Sequence, residues 1–203
     1  MARGLLIALE GIDGSGKSTQ ARLLAAALAQ QGREVVLTRE PTDGRAGQEL
    51  RRYLEGPSRY LSPEQELQLF VADRREHVER TIQPALRAGK TVITDRYYYS
   101  SVAYQGALGL DPGKILALNE SFAPRPQLVF VLSLAVSDAL ERLAAKGGDR
   151  RQLSESPPYL PQVAAIYDSF SGPPFRRLDA SRAPEVIHEL MLRETLDFAR
   201  NFD

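Results

Sequence analysis

The stretch that decides the fold runs from Leu5 to Ser18 and reads Leu-Leu-Ile-Ala-Leu-Glu-Gly-Ile-Asp-Gly-Ser-Gly-Lys-Ser. Its first part, Leu5–Leu9, is a continuous apolar run, which is typical of a strand covered on both faces in a parallel sheet. Its second part, Gly11–Ser18, matches the pattern G-x-x-x-x-G-K-[S/T]. The Ala/Leu-rich segment Ser18–Gln31 follows and stops at Gly32, a typical helix end. The sequence therefore predicts a strand, a glycine-rich loop and a helix in direct succession.

This loop has the chemistry of phosphate binding. Its glycines let the backbone curl so that N–H groups point at phosphate oxygens, and the helix that follows adds its positive end. Lys17 supplies a mobile cation for the β- and γ-phosphates, and Ser18 supplies a hydroxyl ligand for Mg²⁺. A chance match would need neither the strand before the loop nor the helix after it. We expect nucleotide binding through Gly11, Ile12, Asp13, Gly14, Ser15, Gly16, Lys17, Ser18 and Thr19.

Apolar runs and helical patterns alternate along the rest of the chain. The further predicted strands are Glu34–Thr38, Thr91–Thr94, Leu128–Leu132 and, more weakly, Arg176–Leu178. The further predicted helices lie near 47–54, 62–84, 114–122, 137–146, 159–170 and 184–198. Ser62, Pro63 and Gln65 have the spacing of a capping box, and Pro84 should kink or end that helix. This alternation predicts one α/β domain over residues 1–203, with a five-stranded parallel sheet flanked by helices.

The composition argues against several classes of function. The 203 residues contain 26 Lys and Arg against 26 Asp and Glu, so no overall basic field attracts a nucleic acid. Cysteine is absent, which excludes disulfides, Cys nucleophiles and Cys-ligated zinc, and fits a reducing compartment. No apolar run approaches the roughly 18 residues of a membrane-spanning helix. We therefore expect a cytoplasmic protein with no nucleic acid or membrane partner.

A second stretch narrows the expected function. Residues 95–105 read Asp-Arg-Tyr-Tyr-Tyr-Ser-Ser-Val-Ala-Tyr-Gln, directly after the third predicted strand. Together with Gly11–Thr19, Thr38–Pro41, and Phe70 with Arg74, this stretch resembles the bacterial thymidylate kinases. The resemblance implies the P-loop nucleoside monophosphate kinase fold with a mobile lid, and a homodimer. It also implies transfer of the γ-phosphoryl of Mg-ATP to dTMP, which gives dTDP for dTTP synthesis.

Asp95 and Arg96 follow a strand at the sheet edge where open α/β proteins bind ligands. An Asp there can hold Mg²⁺ or its waters, and an Arg can bind phosphate oxygens in two-pronged fashion. A surface ion pair is the alternative interpretation of the two residues. The family resemblance assigns Arg96 to the bridge between the acceptor phosphate and the transferring group. We therefore expect Lys17, Asp95 and Arg96 to be catalytic, and Ser18 and Asp95 to hold the metal.

The resemblance also implies an acceptor pocket. Phe70 and Arg74 are four residues apart on one helix face, where a ring could stack on a base and a guanidinium could donate to its carbonyl oxygen. Taken alone, the pair is more typical of core and solvated rim. The implied contacts are Asp13 to the sugar 3′-hydroxyl, Tyr104 against the sugar, Arg51 to the monophosphate, and Glu40, Pro41, Ser100, Ser101 and Gln105 around the substrate. A loop-stabilising Asp13, a buried Tyr104 and a solvated Arg51 are the alternatives.

A further cation is expected from a lid. The variable loop positions 12–15 contain no Arg, and members of the resembling family that lack a basic residue there supply it from a mobile segment. The candidate segment is 146–158, in which two glycines precede Arg150 and Arg151. Arg150 is the first candidate for catalysis, with Arg151 and Arg142 as further contacts to the ATP. A solvated basic loop is the alternative.

Two competing functions stay open at this point. One is a kinase for another deoxynucleoside or nucleotide, which would prefer dUMP, dCMP or a nucleoside over dTMP. The other is a switch that binds ATP and transfers nothing, which would not respond to dTMP. The pairing of Phe70 with Arg74 and the stretch Ser100–Gln105 argue against a switch, because a switch needs no acceptor pocket.

Overall fold

A five-stranded, all-parallel sheet forms the centre of the molecule. The computed structural model describes residues 4–56, 60–145 and 159–201. Its strands are β1 (Leu5–Glu10), β2 (Val35–Arg39), β3 (Thr91–Asp95), β4 (Leu128–Ser133) and β5 (Phe175–Asp179), in the order β2-β3-β1-β4-β5. The predicted α/β fold is thus confirmed.

Helices cover both faces of this sheet. They are α1 (Lys17–Gln30), α2 (Arg45–Leu54), α3 (Pro63–His77), α4 (Gln83–Arg87), α5 (Tyr98–Ala107), α6 (Pro112–Glu120), α7 (Val136–Ala145), α8 (Leu160–Ser169) and α9 (Pro184–Arg200). Helix α1 packs on α9, α2 packs on α3, and α5 packs on both α6 and α8. Within the described part of the chain, no helix is both long and apolar enough to cross a bilayer.

The core is built on the central strand β1, which is buried along its whole length. Its apolar residues join those of β3 and β4, and the largest fully buried side chains include Leu6, Ile93 and Phe130. The register pairs Leu9 with Asp95 and Glu10 with Val131, so the carboxyl ends of the three middle strands lie side by side. Polar groups that follow these strands therefore meet at one edge of the sheet.

The segment after Ser62 confirms one local prediction and refines another. The Ser62 side chain accepts from the Gln65 backbone, and the Gln65 side chain accepts from the Ser62 backbone, which completes the predicted capping box. The helical path does not end at Pro84: a π-helical turn, Val78–Ile82, leads into α4. A proline cannot donate a backbone hydrogen bond, and the wider turn accommodates this loss without breaking the path.

Helix α5 is the main element that the sequence patterns do not predict. It begins at Tyr98 and contains the pair Ser100 and Ser101 of the second motif. Eight of its ten residues are buried, so nearly all sides of the helix face the protein interior and the sequence shows no amphipathic stripe. Its contacts with α6 and α8 stabilise it where local propensity is weak.

Candidate active site

The glycine-rich loop leaves β1 and enters α1, with its backbone packed against two other elements. Gly11 has φ 138°, and an added Cβ would lie 2.6 Å from the Leu132 carbonyl oxygen of β4. Gly14 has φ 83°, and its Cβ would lie 2.7 Å from the Ala139 carbonyl oxygen of α7. Side chains at these two positions would be both strained and obstructed, so only glycine fits.

The end of this loop carries Lys17, which is predicted to bind phosphate, and Ser18, which is predicted to bind the metal. The Lys17 ammonium donates to the Ile12 carbonyl oxygen at 2.8 Å, and the side chain is almost fully buried. Burial and the neighbouring Arg96 cation lower the pKa of Lys17 to about 8. The Ser18 hydroxyl donates to the Asp95 carboxylate, so the structure brings together the two residues predicted to hold a metal.

Arg96 lies between the glycine-rich loop and α5. Its Nη2 contacts Asp13 Oδ1 at 2.5 Å, and its Nη1 donates to Ser100 Oγ at 3.0 Å. The guanidinium also lies over the Tyr104 ring, with Cζ 5.0 Å from the ring centroid. Burial would raise the pKa of Asp13, but the charges of Arg96 and Lys17 outweigh it and lower that pKa. Asp13 is therefore a carboxylate beside two cations.

A cavity of about 290 Å³ connects the phosphate loop with the predicted acceptor side. It is lined by loop residues 13–19 except Ser15, together with Asp95, Arg96, Arg51 and the segment 39–41. Four cationic residues thus line one space at the carboxyl edge of the sheet, namely Lys17, Arg39, Arg51 and Arg96. Such a concentration of positive charge fits phosphate groups.

A second cavity of about 270 Å³ adjoins the first, and the two share Asp13, Pro41, Arg51 and Arg96. The further residues that line it include Phe70, Tyr104 and Gln105. Arg51 is held there because it donates to the Pro41 carbonyl oxygen at 3.0 Å and to Asp43 at 2.8 Å. The peptide bond before Pro41 is cis.

Gln105 presents an unused acceptor in this second cavity. Its Nε2 donates to Glu66 Oε1 at 2.9 Å, and Glu66 Oε2 accepts from the Tyr53 hydroxyl at 3.0 Å. A carboxylate accepts only, so this contact fixes the side-chain amide with its nitrogen toward Glu66. No described residue supplies a hydrogen bond to the buried Gln105 Oε1. Gln105, a residue that lines the cavity, therefore holds one oriented acceptor without a described partner.

Arg74 and Ser101 lie deeper than the other predicted acceptor residues. Arg74 is 1% exposed and donates to Glu40 Oε2 through Nε at 2.9 Å and Nη2 at 2.6 Å. Its Nη1 donates to Ser101 Oγ at 3.2 Å and to Asn119 Oδ1 at 2.7 Å. Burial opposes ionisation of Glu40, but the Arg74 charge and the His77 contact prevail and lower its pKa. A direct contact of Arg74 with a base stays a prediction.

The geometry of a phosphate loop facing an acceptor cavity agrees with the comparisons to known proteins. The family model described as thymidylate kinase matches residues 9–191. The chain belongs to the thymidylate kinase family. It is 43% identical over 180 residues to a thymidylate kinase of Desulfotalea psychrophila, covering 89% of this chain and 88% of that protein. It is 42% identical over 192 residues to one of Brachyspira hyodysenteriae, covering 94% and 92%.

A third relative from another organism extends the same result. The thymidylate kinase of Xanthomonas campestris is 47% identical over 178 residues, which cover 88% of this chain and 77% of that protein. These similarities confirm the thymidylate kinase resemblance that residues 95–105 carry, since each extends over most of the chain.

The lid arginines of this thymidylate kinase family member can be placed only in part. Arg142 is half-buried in the last turn of α7, whose neighbouring Leu143 lines the phosphate cavity. Arg150 and Arg151, with the rest of the predicted lid 146–158, lie outside the described residues. The end of α7 therefore brings the chain to the phosphate cavity immediately before the predicted lid begins.

Three buried acids at the site were not among the predicted functional residues. They are Glu10, Glu66 and Asp73, which are each at most 2% exposed. Glu66 orients Gln105, and Asp73 accepts from the backbone and hydroxyl of Thr42 at the turn after Pro41. The sequence signal that could reveal them is an acid at a position that the pattern makes buried, as Glu10 is at the end of an apolar strand.

Proposed function

We propose that this chain is a dTMP kinase that transfers the γ-phosphoryl of Mg-ATP to dTMP, giving ADP and dTDP for dTTP synthesis. The observation that carries the proposal is the position of Arg96, which lines both the phosphate cavity and the acceptor cavity. A group that moves from a donor in one cavity to an acceptor in the other would cross the boundary that Arg96 shares with Asp13, Pro41 and Arg51. Membership of the thymidylate kinase family supports the choice of acceptor.

The donor ATP would occupy the glycine-rich loop. A cavity of about 460 Å³ on the β4 side of the loop is lined by Gly11 and Ile12, by Asp179 at the end of β5 and by Ser181 just after it. This space can take the nucleoside part while Lys17 and the loop N–H groups bind the phosphates. Arg142 and Arg151 are the proposed further contacts to the ATP, and Arg150 is the first candidate for a catalytic cation from the lid.

The oxygen donors near the phosphates fit Mg²⁺. A Mg²⁺ ion that travels with a nucleotide keeps several waters and needs only one or two protein oxygens, and the joined Ser18 hydroxyl and Asp95 carboxylate supply that donor set. When bound, the ion would screen the negative charge of the β- and γ-phosphates. The protein's own contribution is to hold Ser18 at the start of α1 and Asp95 at the end of β3.

The transfer step requires positive charge more than a strong base. The second pKa of a phosphate monoester is about 6, so the acceptor is largely dianionic at neutral pH and can attack without losing a proton. Lys17 and Arg96 converge on the space where the phosphoryl passes, and a well-placed Arg contributes about 10³- to 10⁵-fold in rate. Asp13 holds Arg96 at that place and would accept from the sugar 3′-hydroxyl.

The acceptor cavity favours thymine over cytosine. Gln105 Oε1 is an oriented acceptor without a described partner, and the N3–H of thymine or uracil is a donor, whereas cytosine N3 is itself an acceptor. The Phe70 ring lines the same cavity and can stack on the base. Tyr104, whose ring lies under the Arg96 guanidinium, would press against the sugar where a ribose 2′-hydroxyl would sit, and so favours deoxyribose.

A homodimer in the cytoplasm completes the proposal. Both the homodimer and the cytoplasmic location are inferred from the family resemblance. Around the acceptor, the proposed contacts of Glu40, Pro41 and Arg51 are unchanged. Sedimentation at micromolar concentration tests the assembly: a mass twice that of the 22.5 kDa chain is expected, and a monomer with full activity would contradict it.

The decisive experiment is a coupled assay of ADP release with Mg-ATP and a panel of dTMP, dUMP, dCMP and dAMP. We expect the highest kcat/KM with dTMP and rejection of dCMP by at least 10³-fold, because dCMP leaves Gln105 Oε1 facing another acceptor. Preferential turnover of dCMP or dAMP would overturn the reading of the acceptor cavity. No turnover of any monophosphate, with ATP raising the melting temperature, would support a switch instead.

A further inference from the structure

A fully buried carboxylate, Glu10, lies at the end of β1 directly before the phosphate loop. Its Oε1 accepts from the backbone N–H of Tyr97 at 2.9 Å and of Ser100 at 3.3 Å. Its Oε2 accepts from the Ser100 hydroxyl at 2.6 Å and from the Tyr167 hydroxyl of α8 at 3.0 Å. Glu10 lines none of the cavities described above, and its four partners all act as donors.

The first two contacts make Glu10 the cap of α5. Tyr97 occupies the N-cap position of that helix and offers no side-chain acceptor to its first turn. The N–H groups of Tyr97 and, in the first turn, of Ser100 instead donate to a carboxylate from another strand, whose charge also complements the helix dipole. Helix α5 carries Ser100, Tyr104 and Gln105 into the acceptor cavity, so its placement depends on β1.

The third contact leads to Arg96. A hydroxyl that gives its proton to Glu10 keeps its lone pairs for other donors, and Ser100 Oγ accepts from Arg96 Nη1 at 3.0 Å. On its other side Arg96 is held by Asp13. The guanidinium that lies between donor and acceptor is therefore fixed by two carboxylates, one directly and one through a hydroxyl.

We propose that Glu10 is a positioning residue of the phosphoryl transfer: its ionised carboxylate makes Ser100 an acceptor and thereby holds Arg96 at the boundary of the two cavities. The inference rests on the proposed function, because Arg96 has this role only if a phosphoryl group passes it. It adds to that function a residue that contacts neither substrate.

The surroundings of Glu10 shift its pKa to near neutral pH, where the kinase reaction would be measured. Burial raises the pKa of Glu10 to about 7, although Ser100, Arg96, Tyr167 and Tyr97 act to lower it. The other charged or titratable groups that face it are Lys17 of α1 and Tyr99 of α5. A protonated carboxyl would donate to a neighbouring hydroxyl such as that of Ser100. The Ser100 hydrogen would then lose its acceptor on Glu10, and turning toward Arg96 it would oppose the Arg96 contact.

The variant Glu10→Gln separates the two roles of the side chain. Its amide oxygen can keep the two backbone contacts of the helix cap, while its NH₂ group faces the Ser100 hydroxyl and no longer accepts the Ser100 hydrogen, which would turn toward Arg96. We expect kcat at pH 8 to fall about 10- to 100-fold with the melting temperature unchanged or raised, as when the outer partner of a metal ligand is removed. Asp111→Asn, in the cap of α6, is the matched control and should keep wild-type kcat.

The pH profile gives a readout that a purely structural cap would not change. Wild-type kcat should decline below about pH 7, whereas Glu10→Gln should keep only the decline near pH 6 from the substrate phosphate. Tyr167→Phe, which leaves Glu10 in place, should move the wild-type decline to higher pH by about half a unit to one unit, because one donor is lost. This second variant keeps the test valid even if Glu10→Gln does not fold.

Two outcomes would overturn the proposal: a Glu10→Gln enzyme whose kcat stays within twofold of wild type at pH 8, or a pH profile of Tyr167→Phe that superimposes on the wild type. The failure of the underlying function is recognised separately, since wild-type enzyme measured first in the same assay would then not turn over dTMP.

Discussion

Replacing Glu10 by Gln should make the protein less sensitive to pH, with a magnitude that follows from its burial. The folded state raises the pKa of Glu10 from 4.5 to about 7, so the folded protein binds more protons than the unfolded chain between these values. The free energy of unfolding therefore falls as the pH rises through this window. At 1.36 kcal/mol per pKa unit the total effect is about 3 kcal/mol, most of which falls between pH 5 and pH 8.

Thermal and urea unfolding of both proteins at pH 5, 6, 7 and 8 would measure this effect. The other ionisable groups are common to both chains and cancel in the difference, provided that the variant leaves their surroundings unchanged. As the pH rises from 5 to 8, the stability of Glu10→Gln relative to wild type should increase by about 2–3 kcal/mol, or about 5–10 °C in melting temperature. Parallel stability curves over this range would refute the reasoning, because they would mean that Glu10 ionises in the folded state as it does in the unfolded chain.

Three further predictions concern the site and its support. Arg96→Ala should lower kcat at least about 10³-fold and leave ATP affinity unchanged in calorimetry, and an unaltered kcat would remove Arg96 from the mechanism. Gly47→Ala should raise the KM for dTMP about tenfold or more and change the KM for ATP less. The reason is that the new Cβ would lie 2.1 Å from the carbonyl oxygen of Thr42, in the loop next to the acceptor cavity. Equal changes in the two KM values would contradict this prediction. Ser62→Ala should cost about 1 kcal/mol of stability in urea unfolding at wild-type kcat, since it removes the acceptor for the Gln65 N–H, and no loss would mean that the capping box is energetically neutral.

The fold could be predicted from the sequence because its periodicities are local. The bounds of each predicted strand lie within one or two residues of the observed bounds; for example, the prediction Glu34–Thr38 corresponds to the observed strand Val35–Arg39. This agreement is possible because the turn residues on either side of a buried apolar run mark where the strand begins and ends. The order β2-β3-β1-β4-β5 needs contacts between distant segments and does not follow from the pattern. The phosphate loop is a local feature that the sequence predicts, because all the residues that give it its chemistry lie within Gly11–Ser18.

Helix α5 shows why part of the site could not be predicted. Its opening residues Tyr98, Tyr99 and Ser100 have modest helix propensity, and its cap comes from Glu10, nearly ninety positions earlier. A cap supplied by another strand leaves no sequence pattern at the helix itself. The same holds for Glu66, whose effect on Gln105 appears only once α3 and α5 pack together.

The backbone at Arg96 indicates how the site stays in place. Arg96 has φ 71°, a left-handed conformation that costs a residue with a side chain about 1–2 kcal/mol. Its N–H donates to the Leu9 carbonyl oxygen at 3.0 Å, and its carbonyl oxygen accepts from Thr94 Oγ1 at 2.7 Å. Two hydrogen bonds of about 1 kcal/mol each are enough to offset this strain. The turn aims the guanidinium back over the phosphate loop instead of along the strand, so the conformation that costs the backbone energy is also the one that puts Arg96 between the two cavities.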